Sequence, residues 1–212
     1  MKKNKMNYRL YLVTEEGLPL NKLLQVVGES VAGGVTVVQL REKKTEAKDF
    51  YDRALKVKKL LDSLSVPLII NDRVDVALAV GAAGVHVGQS DLPLPAVKKV
   101  IPESMIVGVS ARTVEEAIAA EEEGADYIGV GSVFPTSTKA DAKLLPTGVL
   151  QHIVSAVSIP VVAIGGINEI NIGSLKDSGA AGAAIVSALT RAANPKGTAE
   201  KLLKCINGVY SF

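Results

Sequence analysis

Short hydrophobic runs that are rich in β-branched residues recur eight times along the chain. Most of them are nearly continuous in apolar residues, which is typical of parallel strands that are buried on both faces. The predicted strands are Arg9–Thr14, Thr36–Leu40, Leu68–Asn71, Val85–Val87, Ile106–Ser110, Tyr127–Val130, Val161–Ile164 and Ala183–Val186.

The segments between these runs place apolar residues at helical spacing, as Leu20–Ala32 does with Leu23 and Val27. Thr113 stands three residues before Glu116, which is the signature of a capping box at a helix N-terminus. The predicted helices are Leu20–Ala32, Thr45–Leu64, Thr113–Glu123, Pro146–Val157, Ile170–Asp177 and Pro195–Ile206.

This alternation of strands and helices predicts the fold class. It has eight units and no break in composition, so we expect one α/β domain, a (β/α)8 TIM barrel, over residues 1–212. The alternative is an open, doubly wound sheet, but no dinucleotide-binding fingerprint supports it. In a barrel the C-terminal ends of all strands open onto one mouth, where residues far apart in sequence meet.

Composition and charge limit the partners. The chain is 48% hydrophobic, and its 24 basic and 22 acidic residues leave a net charge of +2. This balance favours neither nucleic acid nor a membrane as a partner, and no apolar stretch is long enough to span a bilayer. The single cysteine, Cys205, excludes an internal disulfide and fits a reducing compartment, so we expect a cytoplasmic protein. A homo-oligomer is compatible with the sequence.

Polar clusters follow four of the hydrophobic runs at the predicted mouth. They are Gln39–Lys43, Asn71–Asp72, Gln89–Asp91 and Pro135–Lys139. Together they supply cations, two carboxylates, hydroxyl groups and amide groups. This mixture suits a phosphorylated small-molecule substrate that is held together with a divalent metal ion.

The side chains of Gln39, Arg41 and Lys43 point to the same side if the second strand continues that far, because strand residues alternate. Arg41 offers a planar fork to phosphate oxygens, and Lys43 adds a point charge. Gln39 can recognise a polar ring edge through its amide. The alternative is an exposed basic strand end that pairs with Glu42, which explains Gln39 poorly.

Asp72 and Asp91 place two carboxylates on neighbouring strand ends. This donor pair suits Mg²⁺, which keeps several waters and takes one or two protein carboxylates. The alternative for each aspartate is a helix cap, for helices that start near Val74 and Pro93. The cations after the second strand favour the metal.

Other predicted mouth residues come from later strands. Gly166 and Ser187 follow the seventh and eighth runs, where barrels often bind phosphate through backbone N–H groups; the alternative is that the glycine only makes a turn. A threonine-rich loop that ends in Lys139 can close over the site. Ser110 ends the fifth strand. His86 is either a satisfied core residue or a pocket residue.

Together these motifs resemble those of the thiamine phosphate synthase family. The resemblance rests on Gln39–Lys43, Asn71–Asp75, Gly84–Asp91, Pro135–Lys139 and Gly165–Ile167, which run in order across nearly the whole chain. It implies an α/β barrel that joins 4-amino-2-methyl-5-hydroxymethylpyrimidine diphosphate to 4-methyl-5-(2-hydroxyethyl)thiazole phosphate. The products would be thiamine phosphate and diphosphate. The implied mechanism is dissociative and Mg²⁺-assisted, with a pyrimidine carbocation captured by the thiazole nitrogen.

The resemblance also implies roles for individual residues. Lys139, Arg41 and Ser110 would be catalytic, and Asp72 and Asp91 would hold one Mg²⁺ per site. The residues implied for the pyrimidine diphosphate are Gln39, Leu40, Arg41, Glu42, Lys43, Asn71, His86, Ser110 and Lys139. Those implied for the thiazole phosphate are Thr136, Ser137, Thr138, Gly166, Val186 and Ser187.

Two other functions are weighed against this one. A thiazole tautomerase shares the barrel, but it would not need the diphosphate-binding set, which is intact here. A non-catalytic thiamine phosphate binder would need neither the pair of aspartates nor the loop that ends in Lys139. Tight product binding without turnover would identify the binder.

Overall fold

A closed barrel of eight parallel strands forms the centre of the protein, in a computed structural model that describes residues 6–136, 138 and 143–209. The strands pair in chain order, and the last pairs back onto the first. They are β1 (Leu10–Val13), β2 (Val37–Leu40), β3 (Leu68–Asn71), β4 (Gly84–Val87), β5 (Ile106–Ala111), β6 (Tyr127–Val130), β7 (Val161–Ile164) and β8 (Gly182–Ile185). The predicted (β/α)8 TIM barrel is therefore confirmed.

Helices alternate with these strands along the chain. They are α1 (Leu20–Ala32), α2 (Ala47–Ser63), α3 (Val74–Ala79), α4 (Leu94–Val100), α5 (Val114–Glu122), α6 (Val149–Ala156), α7 (Ser187–Thr190) and α8 (Pro195–Val209). The predicted cap of α5 is confirmed, because Thr113 Oγ1 accepts a hydrogen bond from Glu116 N at 3.2 Å. None of the described helices is long and apolar enough to cross a membrane.

The segment after β7 differs from the prediction. A helix was expected over Ile170–Asp177, but the structure has a 3₁₀ turn at Ile172–Leu175. Asn168 Oδ1 accepts a hydrogen bond from Ile170 N at 2.9 Å, and Asn171 Oδ1 accepts one from Asn168 N at 2.9 Å. These side-chain bonds to the backbone compete with an α-helical ladder, which explains the shorter turn.

Side-chain alternation along the strands creates two apolar regions. Outward residues such as Val38 and Leu40 belong to the larger core that includes buried helix residues. Inward residues such as Tyr11, Val37 and Tyr127 fill the barrel itself. The barrel interior is thus a packed core, and its C-terminal end carries the polar side chains.

Gly108 provides space inside the barrel for two aromatic rings. In the strand register it lies on β5 between His86 of β4 and Tyr127 of β6. A Cβ atom at Gly108 would clash with the Tyr127 ring and with His86 Nδ1. The glycine therefore allows rings from two strands that are not neighbours to meet.

Candidate active site

A cavity of about 220 Å³ lies at the C-terminal ends of the strands. It brings together most of the residues that the sequence placed at the mouth. Those that line it are Gln39, Arg41, Lys43, Asn71, Asp72, His86, Asp91, Ser110, Thr136, Thr138, Gly166, Val186 and Ser187. The polar clusters that are dispersed in sequence thus converge, as the barrel topology requires.

Two predicted residues turn away from this cavity. Leu40 is completely buried in the outer core. Glu42 is also buried, and its carboxylate accepts hydrogen bonds from Arg53 Nε at 2.8 Å and from Thr45 Oγ1 at 3.0 Å. Neither side chain lines the cavity, because alternate residues of an extended segment face opposite sides, so a role of Leu40 or Glu42 in substrate binding would fall to backbone groups. The predicted Ser137 and Lys139 lie outside the described residues.

The Lys43 ammonium lies between the carboxylates of Asp72 and Asp91. It forms an ion pair with Asp72 Oδ2, and it is 3.7 Å from Asp91 Oδ1. The other Asp91 oxygen, Oδ2, accepts a hydrogen bond from Gly88 N at 2.7 Å, which fixes the carboxylate at the cavity wall. These ionic contacts connect the segments that follow β2, β3 and β4.

Neither aspartate caps a helix. The N-cap of α3 is Arg73 and that of α4 is Pro93, and neither helix start has a side-chain cap bond. Asp72 has a positive φ of 61°, a left-handed conformation that is uncommon for a residue other than glycine. Such strain in the backbone is often found at functional sites. Neither aspartate thus occupies the N-cap position that the capping alternative requires.

The two carboxylates fit a divalent cation. Burial raises the pKa of the Asp72 carboxyl, the bond from Lys43 lowers it, and the neighbouring Asp91 raises it again. Lys43 already supplies one positive charge between the two acids, and a divalent cation there would further favour the ionised form of both. Among the described residues, no group of three or more His, Cys, Asp and Glu side chains could hold a metal ion. A site with only two carboxylates suits Mg²⁺, which takes its remaining ligands from water and substrate phosphate.

A chain of hydrogen bonds crosses the deep part of the cavity. Gln39 Nε2 donates to Tyr11 Oη at 2.8 Å, and the Tyr11 and Tyr127 hydroxyls are 2.8 Å apart. Tyr127 Oη is 2.9 Å from His86 Nδ1, and His86 Nε2 is 2.9 Å from Ser110 Oγ. His86 therefore both packs in the barrel and lines the cavity. The chain links predicted site residues through two tyrosines that the sequence analysis did not single out.

The opposite side of the cavity is formed by the loops after β6 and β7. Phe134 N donates to Gly165 O at 3.0 Å, which joins the two loops. Gly166 has a φ of 67°, and a Cβ atom there would clash with Pro135 O. Only glycine fits this crowded, left-handed position. Thr138 N donates to Thr136 Oγ1 at 3.2 Å, and both threonines line the cavity.

Two basic residues of the cavity wall were also missed by the sequence analysis. Arg112 follows β5, and its Nη2 donates to Lys143 O at 2.9 Å. Both residues line the cavity, which adds two cations to Arg41 and Lys43. The signal was available, because Arg112 comes two residues after Ser110 at the end of a predicted strand.

Comparison with known proteins shows the family to which the chain is similar. The family model described as thiamine monophosphate synthase matches residues 10–189. The thiamine-phosphate synthase of Ruminiclostridium cellulolyticum is 55% identical over 203 residues, which cover 95% of this chain and 97% of that protein. That of Methanobrevibacter smithii is 53% identical over 201 residues, which cover 95% and 96%.

A solved structure agrees as well. The thiamine phosphate pyrophosphorylase from Pyrococcus furiosus superposes with a TM-score of 0.89 at 38% identity, covering 97% of this chain and 98% of that one. The sequence match and the structural match both extend over the whole barrel. The chain therefore belongs to the thiamine monophosphate synthase family, and it is a transferase of thiamine biosynthesis.

Proposed function

We propose that the protein joins 4-amino-2-methyl-5-hydroxymethylpyrimidine diphosphate to 4-methyl-5-(2-hydroxyethyl)thiazole phosphate and releases thiamine phosphate and diphosphate. The observation that carries this proposal is the group formed by Lys43, Asp72 and Asp91, which lies in the same cavity as Gln39 and Gly166. The Lys43 group would hold a metal-bound diphosphate, Gln39 would contact a polar ring, and the loop at Gly166 would take a second phosphate.

The diphosphate is assigned to the side of the cavity that carries cations. Arg41 and Lys43 would contact its oxygens together with Asn71, Ser110 and Lys139, of which Lys139 lies outside the described residues. Asp72 and Asp91 would hold one Mg²⁺. Bound there, this ion would neutralise charge on the diphosphate and make it a better leaving group.

The two rings are assigned to the deep part and the far side of the cavity. Gln39 and His86 lie at the deep end and would recognise the aminopyrimidine. The residues that would hold the thiazole phosphate are Thr136, Ser137, Thr138, Gly166, Val186 and Ser187, with Ser137 outside the described residues. Backbone N–H groups near a glycine of this kind are common phosphate ligands in barrels.

The proposed mechanism needs no protein nucleophile. The bond between the pyrimidine methylene carbon and the diphosphate oxygen breaks, and its electron pair leaves with the diphosphate. The aminopyrimidine delocalises the positive charge, and the lone pair of the thiazole nitrogen then forms the new C–N bond. The side chains of Arg41, Lys139 and Ser110 would stabilise the departing charge, and the shared cavity would provide proximity.

A coupled assay tests the function. Purified protein is mixed with both substrates and Mg²⁺, and thiamine phosphate and diphosphate are followed, with EDTA added in a parallel sample. Formation of both products only when metal is present supports the transferase and its metal. Binding of both substrates without products would favour the non-catalytic binder, and isomerisation of a thiazole phosphate would favour the tautomerase.

The single domain, the cytoplasmic location and a homo-oligomer stay predictions.

A further inference from the structure

Four of the groups in the hydrogen-bond chain across the barrel are almost completely withdrawn from water. Tyr11 and Tyr127 are each 1% exposed, Gln39 is 5% exposed and His86 is 8% exposed. Burial raises the pKa of both tyrosine hydroxyls well above the usual range, so both stay protonated. Each hydroxyl therefore carries one hydrogen that must find an acceptor inside the protein.

For a neutral imidazole, and with both tyrosine hydrogens bonded within the chain, two arrangements of hydrogens give every link a donor and an acceptor. In the first, donation runs from Gln39 through Tyr11 and Tyr127 to His86, whose Nε2–H then donates to Ser110 Oγ. In the second, every donor and acceptor is exchanged, and the Gln39 oxygen must face Tyr11. The Gln39 nitrogen, not its oxygen, lies 2.8 Å from the Tyr11 hydroxyl. This contact corresponds to the first arrangement, and the tautomer of His86 decides between the two.

We propose that Tyr11 and Tyr127 are positioning residues that set the donor and acceptor polarity at both ends of the substrate site. At one end, Gln39 Oε1 is presented as an acceptor, which selects a pyrimidine with an exocyclic amino group. At the other end, Ser110 Oγ accepts from His86, so its own hydrogen is directed to the leaving diphosphate. The roles of Gln39 and Ser110 rest on the proposed function.

The proposal separates the two tyrosines, because each lies nearer one end of the chain. Tyr127→Phe removes the hydroxyl that donates to His86 Nδ1, so the imidazole can adopt the other tautomer and take the Ser110 hydrogen. We expect kcat to fall about tenfold with little change in KM, since the lost bond forms mainly to the departing charge. Tyr11→Phe releases the Gln39 amide, so it should lower selectivity for the amino substrate over its 4-oxo analogue by about tenfold.

Tyr8→Phe is the matched control. The Tyr8 ring packs against Tyr127 with centroids 4.6 Å apart, but its hydroxyl is not one of the linked groups. Removing it deletes the same atom from the same aromatic cluster and should change neither kcat nor selectivity. Thermal melts of all three variants show whether the barrel is intact.

A measurement without substrate tests the polarity directly. The chain has two histidines, so ¹⁵N NMR of imidazole nitrogens is simple to assign with a His152→Gln variant. We expect His86 to be the Nε2–H tautomer in the wild type and in Tyr8→Phe, and a mixture in Tyr127→Phe. An Nδ1–H tautomer of His86 in the wild type would overturn the proposal. Equal kinetic effects of Tyr11→Phe, Tyr127→Phe and the control Tyr8→Phe would overturn it as well. Absence of turnover in the wild type would instead overturn the proposed function, and the NMR result would still decide the polarity.

Discussion

Glu42 is expected to support the structure and not to bind substrate, and Glu42→Ala tests this distinction. The Glu42 side chain is 1% exposed, and it forms an ion pair with Arg53 at 2.8 Å. Arg53 Nη2 also donates to Leu18 O at 2.7 Å, so the pair ties the loop after β1 to the end of β2. The variant leaves the Arg53 charge without its carboxylate inside the protein.

The magnitude follows from burial. Breaking a buried ion pair from one side costs about 3–5 kcal/mol, because the remaining charge is uncompensated. The Arg53 side chain is 18% exposed, so water can reach part of the guanidinium. We therefore expect a loss of about 2–3 kcal/mol, below the fully buried range. For a chain of this size this lowers Tm by about 4–12 °C.

Urea unfolding and thermal melts measure the loss, and steady-state kinetics at a temperature where the variant is folded measure KM. Arg53→Ala should destabilise by a similar amount, and the double variant should cost less than the sum of the two. Glu46→Ala is the control, since this exposed residue makes no side-chain cap bond at the start of α2. An unchanged Tm with a large increase in KM for the pyrimidine diphosphate would refute this reasoning and restore Glu42 as a ligand.

The remaining predictions concern the metal site, the ion pair between Glu15 and Arg191, and the loop that ends in Lys139. Asp72→Asn and Asp91→Asn should each raise the Mg²⁺ concentration needed for half-maximal activity, measured by metal titration. Glu15 has a lowered pKa because Arg191 donates to its carboxylate, so Arg191→Gln should destabilise the protein at neutral pH. The difference in unfolding free energy between the wild type and Arg191→Gln, measured by urea unfolding, should disappear as the pH falls through the lowered pKa. Below it Glu15 is protonated in the folded and in the unfolded protein. Lys139→Ala should lower kcat more than it raises KM, measured by steady-state kinetics.

Controls and contrary outcomes are specific to each of these. Asp75→Asn removes an exposed acid that pairs with Arg73, and it should leave the metal requirement unchanged. A normal metal titration for Asp72→Asn and Asp91→Asn would argue against the Mg²⁺ site. A destabilisation of Arg191→Gln that persists at low pH would show that packing, not charge, is responsible. A rise in KM with normal kcat would limit Lys139 to binding.

The positions of the strands could be predicted because parallel strands in a barrel are buried on both faces. Leu68–Asn71, Tyr127–Val130 and Val161–Ile164 have the predicted bounds, since each run changes from apolar to polar or glycine residues where the strand ends. α7 was not predicted, because four residues are too few to show a helical period. Short elements of this kind depend on tertiary contacts more than on local pattern.

The candidate site could be predicted where the direction of side chains along one strand is enough. Alternation along β2 and its continuation places Gln39, Arg41 and Lys43 on the same side, and all three line the cavity. The outward direction of the Leu40 and Glu42 side chains has the same origin. The family resemblance treats Gln39–Lys43 as one motif, whereas the pleat directs alternate side chains to opposite sides. A motif that is continuous in sequence is therefore divided in space between the cavity and the outer packing.

The two tyrosines could not be predicted in the same way, because their role depends on the register of several strands. A tyrosine within an apolar run normally indicates core, and only the pairing of β4, β5 and β6 brings Tyr127 to His86. One trace does remain in the sequence. Gly108 interrupts a strand of branched residues, and glycine inside a strand weakens it unless another group approaches closely. Gly129, whose Cβ would lie 3.1 Å from His86 Cε1, repeats this on β6. Glycines at inward positions thus indicate where polar rings meet inside the barrel, and they connect the apolar strand pattern to the chemistry at its mouth.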